Sequence, residues 1–235
     1  MKRCLATFAA LTAAAVLLPA AAQETRYEPA WASLDTRPTP QWWGEAKFGI
    51  FIHWGVYSVP AYAPVGEYAE WYQQRTDTPL TEHTPDWERA IFEATRAFET
   101  RTYGEDFSYY DFADDFDAAF FDPAEWAQMF AGAGAQYVVL VSKHHDGFAL
   151  WPSAEASASF GRPWNAMAVG PERDLVGELS HAVRAEGLHM GLYFSLYEWF
   201  NPLYDKDNLE PYVTEHMAPQ FRDVVTRYRP EVIFA

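Results

Sequence analysis

The chain has 235 residues, enough for one domain, and 49% of them are hydrophobic, enough to bury a large core. Its 33 acidic residues against 17 basic ones give a net charge of −16 with no basic stripe to offset it, which excludes nucleic acid as a partner. The single cysteine is Cys4, so no disulfide framework can hold the fold together.

In chain order, Lys2 and Arg3 precede an uncharged run over residues 5–18, followed by Pro19 and the small residues Ala20, Ala21 and Ala22. A charged start, an apolar middle and a small-residue cleavage site predict a signal peptide over residues 1–22, and hence secretion or a periplasmic location. About 14 apolar residues fall short of the roughly 20 that a spanning helix needs. No later segment is apolar enough to span, and Cys4 has no lipobox around it, so no membrane association is expected after cleavage.

Strand-like runs follow at residues 48–53, 137–142, 188–194 and 231–235. None alternates cleanly between polar and apolar positions, which is the pattern of strands buried on both faces of a parallel sheet. The stretch 55–121 is too long for a simple crossover and is expected to carry function or cover a site. Within it, 90–100 reads as helix and the acidic, aromatic segment 103–117 as a surface loop. Asp122, Pro123 and Glu125 mark a helix start, with Trp126, Met129 and Phe130 on its apolar face and Gly132 and Gly134 at its end. A second helix begins near Pro171, places Leu175, Leu179, Ala182 and Val183 on one face, and closes at Gly187. A third covers 211–228, kinked or broken at Pro219, with Phe221, Val224 and Val225 inward. Strands alternating with helices predict an α/β fold built of βαβ units.

Polar and aromatic residues gather where these strands end. The first run leads into His53 and Trp54, and the second into His144, His145, Asp146 and Gly147. The third leads from Tyr193 into Tyr197, Glu198 and Trp199. The C-terminal ends of parallel strands are where such sheets bind ligands. Adjacent strand residues point to opposite faces, so His144 and His145 can share a pocket only if the strand has already ended, as Asp146-Gly147 suggests. Two histidines and an aspartate are also zinc-ligand types, but neither a His-x-His nor an HExxH spacing is present. Imidazole with tryptophan equally suits sugar hydroxyls and ring faces, so the residues alone leave metal and carbohydrate open. No GxSxG elbow, phosphate loop, GxGxxG or catalytic cysteine is present, and no cofactor is implied.

The run from Lys47 through His53, Trp54, Gly55 and Tyr57 to Ala61 resembles the opening barrel strand of the family 29 glycoside hydrolases, the α-L-fucosidases. Glu70-Trp71-Tyr72 is similar to the family's Glu-Trp-Tyr segment. Residues 137–153, 173–179 and 191–195 continue the resemblance in order. It implies the N-terminal half of a (β/α)8-like (TIM) barrel at residues 23–235, a partial glycoside hydrolase domain, and a fucosylated glycan as substrate. It also implies that His53, Glu70, Trp71, His144, His145 and Tyr193 line the fucose pocket, the histidines and Glu70 on ring hydroxyls and Trp71 on an apolar patch of the sugar. The family's retaining mechanism uses two carboxylates about 5 Å apart. By resemblance the nucleophile is expected at the position after Ala235, so no catalytic carboxylate is assigned within the chain.

Four βα units are also half of a barrel that commonly takes ~250 residues. A half-barrel leaves strand edges unpaired, so a fragment of a longer reading frame, inactive alone, is expected. The rival readings are a non-catalytic fucose-binding protein and a metal-dependent hydrolase using His144, His145 and Asp146.

Overall fold

A computed structural model describes residues 26–235; the leader read at residues 1–22 lies outside the described residues. Ahead of the main unit, which begins at Glu45, come the short helices α1 (Trp31–Leu34) and α2 (Gln41–Glu45). The Ser33 hydroxyl accepts the Glu28 N–H at 2.9 Å just before α1.

The main unit is built on four parallel strands in chain order: β1 (Gly49–Ile52), β2 (Tyr137–Lys143), β3 (His189–Phe194) and β4 (Val232–Phe234). Sequential order with helical crossovers is the arrangement of one half of a (β/α)8 barrel. The sheet curls enough to bring the Phe51 ring of β1 to 5.4 Å from Phe234 of β4, two strands beyond its pairing partner. The concave face therefore carries Phe51, Tyr193 and Phe234, whose rings meet. Val138, Leu140, Met190, Leu192 and Phe194 face the opposite way and join the main apolar core. Close approach on the concave side explains Gly191: a Cβ there would lie 2.5 Å from Val232 Cγ1.

Between β1 and β2 lie α3 (Tyr72–Asp77), α4 (Asp86–Tyr103), α5 (Phe112–Asp115) and α6 (Pro123–Gly132). The Asp122 carboxylate caps α6 by accepting the Ala124 and Glu125 N–H groups at 3.0 Å, as its sequence predicts. Its inner face is Trp126, Ala127 and Phe130; Met129, read as inward, is exposed because the neighbouring positions already fill that face. The helix read at 90–100 is a full 18 residues. The stretch 103–117 is not a surface loop: Tyr109, Phe112, Ala113 and Phe116 are buried in the core. Its acidic residues point outward while the aromatics at i, i+3 and i+7 form an inner stripe.

After β2 comes α7 (Ala154–Phe160), then α8 (Leu175–Ala185), whose Asp174 cap accepts the Gly177 N–H at 2.9 Å and whose Leu175, Leu179, Ala182 and Val183 are all buried. The last crossover opens with a π-helical turn at Tyr212–Met217 and continues as α9 (Ala218–Tyr228). Pro219 in the first turn of α9 has no N–H for a regular ladder, which accounts for the irregular turn ahead of it.

Candidate active site

The site forms at the C-terminal ends of the strands. His53 follows β1, with its ring 5.8 Å from His144 and 6.2 Å from Tyr193 of β3. How His144 comes to face this group depends on an irregularity that the sequence did not reveal. Val139 and Val141 lie on the concave side of β2, so strict alternation would send Lys143 there and turn His144 away. The pairing of β2 with β3 shifts register between Val141 and Lys143. The bulge reverses the outcome: Lys143 turns to the helix layer and His144 to the concavity. The strand ends at Lys143, so His145 can follow on the same side; the two imidazoles stand 4.8 Å apart, edge to face.

The long insertion supplies the facing wall. A 3₁₀ turn, Ala69–Trp71, carries Glu70 and Trp71. Trp71 packs against Trp199 at 5.2 Å and His145 at 6.2 Å, and Trp199 in turn touches both histidines. Arg75 anchors this turn from beneath: its guanidinium donates to the Tyr68 carbonyl at 2.8 Å and to the Glu67 carboxylate at 2.9 Å. Glu70 makes no hydrogen bond to the described residues, and its charge reaches Arg75 and the Tyr57 hydroxyl. Five of the six residues read as pocket-lining are thus linked ring to ring, with Glu70 beside Trp71 in the same turn.

The electrostatics favour uncharged imidazoles. Burial, with His145 and His53 nearby, pushes His144 down to about 3. Burial also lowers His145, against the Tyr197 carbonyl that its Nδ1 meets at 2.9 Å. That bond puts the proton on Nδ1 and leaves the Nε2 lone pair free to accept. The buried Nδ1 of His144 has no partner among the described residues.

Two residues escaped the sequence reading as members of this wall. Trp199 lies in the run that follows β3, where its neighbours gave the signal. Tyr57 is buried against His144 at 5.5 Å, with its hydroxyl pushed up by burial and by Asp146, Glu70 and Tyr193.

Asp146, a ligand in the metal reading, has other bonds. One carboxylate oxygen accepts the Tyr109 hydroxyl at 2.7 Å and the other the Phe148 N–H at 3.1 Å. Burial raises it to about 6 in spite of those donors. Among the described residues no group of three His, Cys, Asp or Glu side chains is placed to hold a metal ion. The arrangement is instead a concave surface of imidazoles, indole faces, a phenol and one carboxylate, a set suited to hydroxyl-bearing rings.

Comparison with known proteins agrees with that chemistry. The profile of the family described as Alpha-L-fucosidase matches residues 14–235. The chain is 46% identical over 215 residues to the tissue alpha-L-fucosidase of Homo sapiens, and 44% identical over 217 residues to the alpha-L-fucosidase of Dictyostelium discoideum. Each alignment covers 89% of this chain, but only 42% and 44% of those relatives. The chain therefore spans somewhat less than half the length of these curated relatives. The crystal structure of Thermotoga maritima alpha-fucosidase in complex with fucose superposes with a TM-score of 0.72 at 39% identity, over 89% of this chain and 49% of that one. With most of its length matched by the family profile, the chain belongs to the α-L-fucosidase family.

Proposed function

We propose that this chain is the sugar-binding part of an exported, retaining α-L-fucosidase that releases terminal α-L-fucose from glycans. The observation that carries the reading is the convergence of His53, His144, His145 and Tyr193, with Trp71 and Glu70 opposite, on one concave surface in a chain of this family. Neutral imidazoles both donate and accept, so they pair with sugar hydroxyls without the cost of desolvating a charge. A wrong epimer leaves such buried groups unpaired, which is the source of strong selectivity. Trp71 packs on the apolar face of the ring, and Glu70 accepts from a hydroxyl. The solved relative described with fucose bound supports the choice of sugar.

In the proposed reaction one carboxylate attacks the anomeric carbon to form a glycosyl-enzyme, and a second protonates the leaving oxygen. The nucleophile is proposed at the position after Ala235, where β4 delivers it beside Phe234 on the concave face. Export rests on the leader at residues 1–22. The test is release of chromophore from an aryl α-L-fucoside by the protein expressed from its complete reading frame. Turnover with retention at the anomeric carbon supports the reading. Binding of fucose without turnover leaves the non-catalytic alternative, and neither binding nor turnover defeats both.

A further inference from the structure

Directly beneath the pocket lies a charged cluster that has no part in the proposed chemistry. Lys143 and Glu198 are fully buried and joined at 2.5 Å. The same Glu198 oxygen takes His216 Nε2 at 2.7 Å, and the other oxygen takes Asn201 Nδ2 at 2.6 Å. Lys143 also donates to Gln220 Oε1 at 3.0 Å and sits 4.0 Å above the Phe194 ring. Buried ion pairs are weak sources of stability, so such a group calls for another explanation.

Its place in the chain suggests one. Lys143 immediately precedes His144, and Glu198 stands between Tyr197 and Trp199. The alternate residues face the concavity, where Tyr197 packs on His145 at 4.4 Å and accepts from its Nδ1, and Trp199 packs on His145 at 5.1 Å. The Trp199 N–H donates to the His145 carbonyl at 2.9 Å, tying the two loops together from above. We infer that Lys143 and Glu198 are positioning residues: their buried pair, gripped by His216 and Gln220 from the last crossover, fixes the loop after β3 against the loop after β2. It thereby fixes the tautomer and tilt of His145 in the sugar-binding wall. The inference rests on the sugar-binding reading only for its functional consequence.

The test is the double variant Lys143→Met/Glu198→Gln in the protein from its complete reading frame, which removes both charges and leaves neither unpaired. Two quantities are read: the imidazole ¹⁵N shifts of His145, which need no sugar, and the affinity for L-fucose. In the folded double variant, His145 is expected to lose its single Nδ1-protonated signature, and affinity to fall about 10-fold or more, by analogy with the cost of losing the group that orients a metal-ligating histidine. A folded double variant with the wild-type His145 signature overturns the inference. Loss of that signature without loss of fucose affinity overturns its functional half. A wild type with an ordered His145 that binds no fucose counts against the sugar reading instead. If the double variant does not fold, Gln220→Leu carries the test, because it removes one Lys143 acceptor without stranding a charge. A smaller shift in the same direction supports the inference, and none overturns it.

Discussion

Acidification should act on His144 in the pocket and on its buried near neighbour Asp146 with opposite signs. His144 is held at about 3 in the fold against an ordinary 6.5, so its contribution to stability is present above pH 6.5 and lost as pH falls toward 3. At 1.36 kcal/mol per unit, this amounts to about 3 kcal/mol lost between pH 7 and pH 4. Asp146 is raised to about 6 from 3.8, so its contribution is fully present below 3.8 and lost as pH rises through 6. Over the same interval it returns about 2 kcal/mol on acidification. In the wild type the two leave a net loss of about 1 kcal/mol. Replacing His144 by Gln removes the first and keeps a polar side chain, while Asp146→Asn removes the second and keeps an acceptor. Urea unfolding from pH 7 to pH 4 is the assay. Relative to wild type, His144→Gln should gain about 3 kcal/mol on acidification and Asp146→Asn should lose about 2 kcal/mol. Parallel curves for the wild type and His144→Gln would refute the claim that His144 is buried neutral.

The remaining predictions concern the site and its supports. Because burial pushes His144 down to about 3, its imidazole NMR shifts should stay those of a neutral ring from about pH 8 to about pH 5, and a titration within that range would contradict a buried neutral His144. Gly147 holds φ at +78°, and a Cβ there would lie 2.8 Å from Glu198 Oε2, so Gly147→Ala should cost about 2 kcal/mol or more in chemical denaturation; a neutral result would show the loop to be pliant. The Tyr228 hydroxyl donates to both oxygens of Asp174, the residue capping α8, at 2.8 and 2.9 Å. Tyr228→Phe should lower stability by roughly 1–3 kcal/mol without changing fucose affinity, and an affinity change would mean that α8 is coupled to the pocket.

The strands were legible because each is a short, largely apolar run, and all four lie within a residue or two of where they were read. The cap of α6 was legible for the same local reason, an Asp followed by its helix, whereas α8, read from near Pro171, begins only at Leu175 with Asp174 as its cap. What stayed hidden depends on contacts remote in sequence. The bulge that turns Lys143 outward leaves no mark in Val141-Ser142-Lys143; it is visible only in the pairing with β3. The short α7, rich in Ala and Ser, carries too little apolar periodicity to register. The stretch 103–117 was misread because its many aspartates outweighed the spacing of Tyr109, Phe112 and Phe116, although that spacing was there to be read. For the candidate site, residue types at strand ends pointed to side chains that the fold brings together, and family resemblance chose sugar over metal. The roles of Tyr57, Trp199 and the buried Glu198 needed three-dimensional neighbours to emerge.

The most direct test of the sugar pocket is calorimetric titration of L-fucose into the protein from its complete reading frame and into its His53→Ala and Trp71→Ala variants, each first shown to keep the wild-type melting temperature. Saturable binding by the wild type, weakened at least about ten-fold in both variants, is the predicted result, since each loses a group proposed to contact the sugar. Wild-type affinity in both folded variants would contradict the assignment of this concave surface as the fucose site.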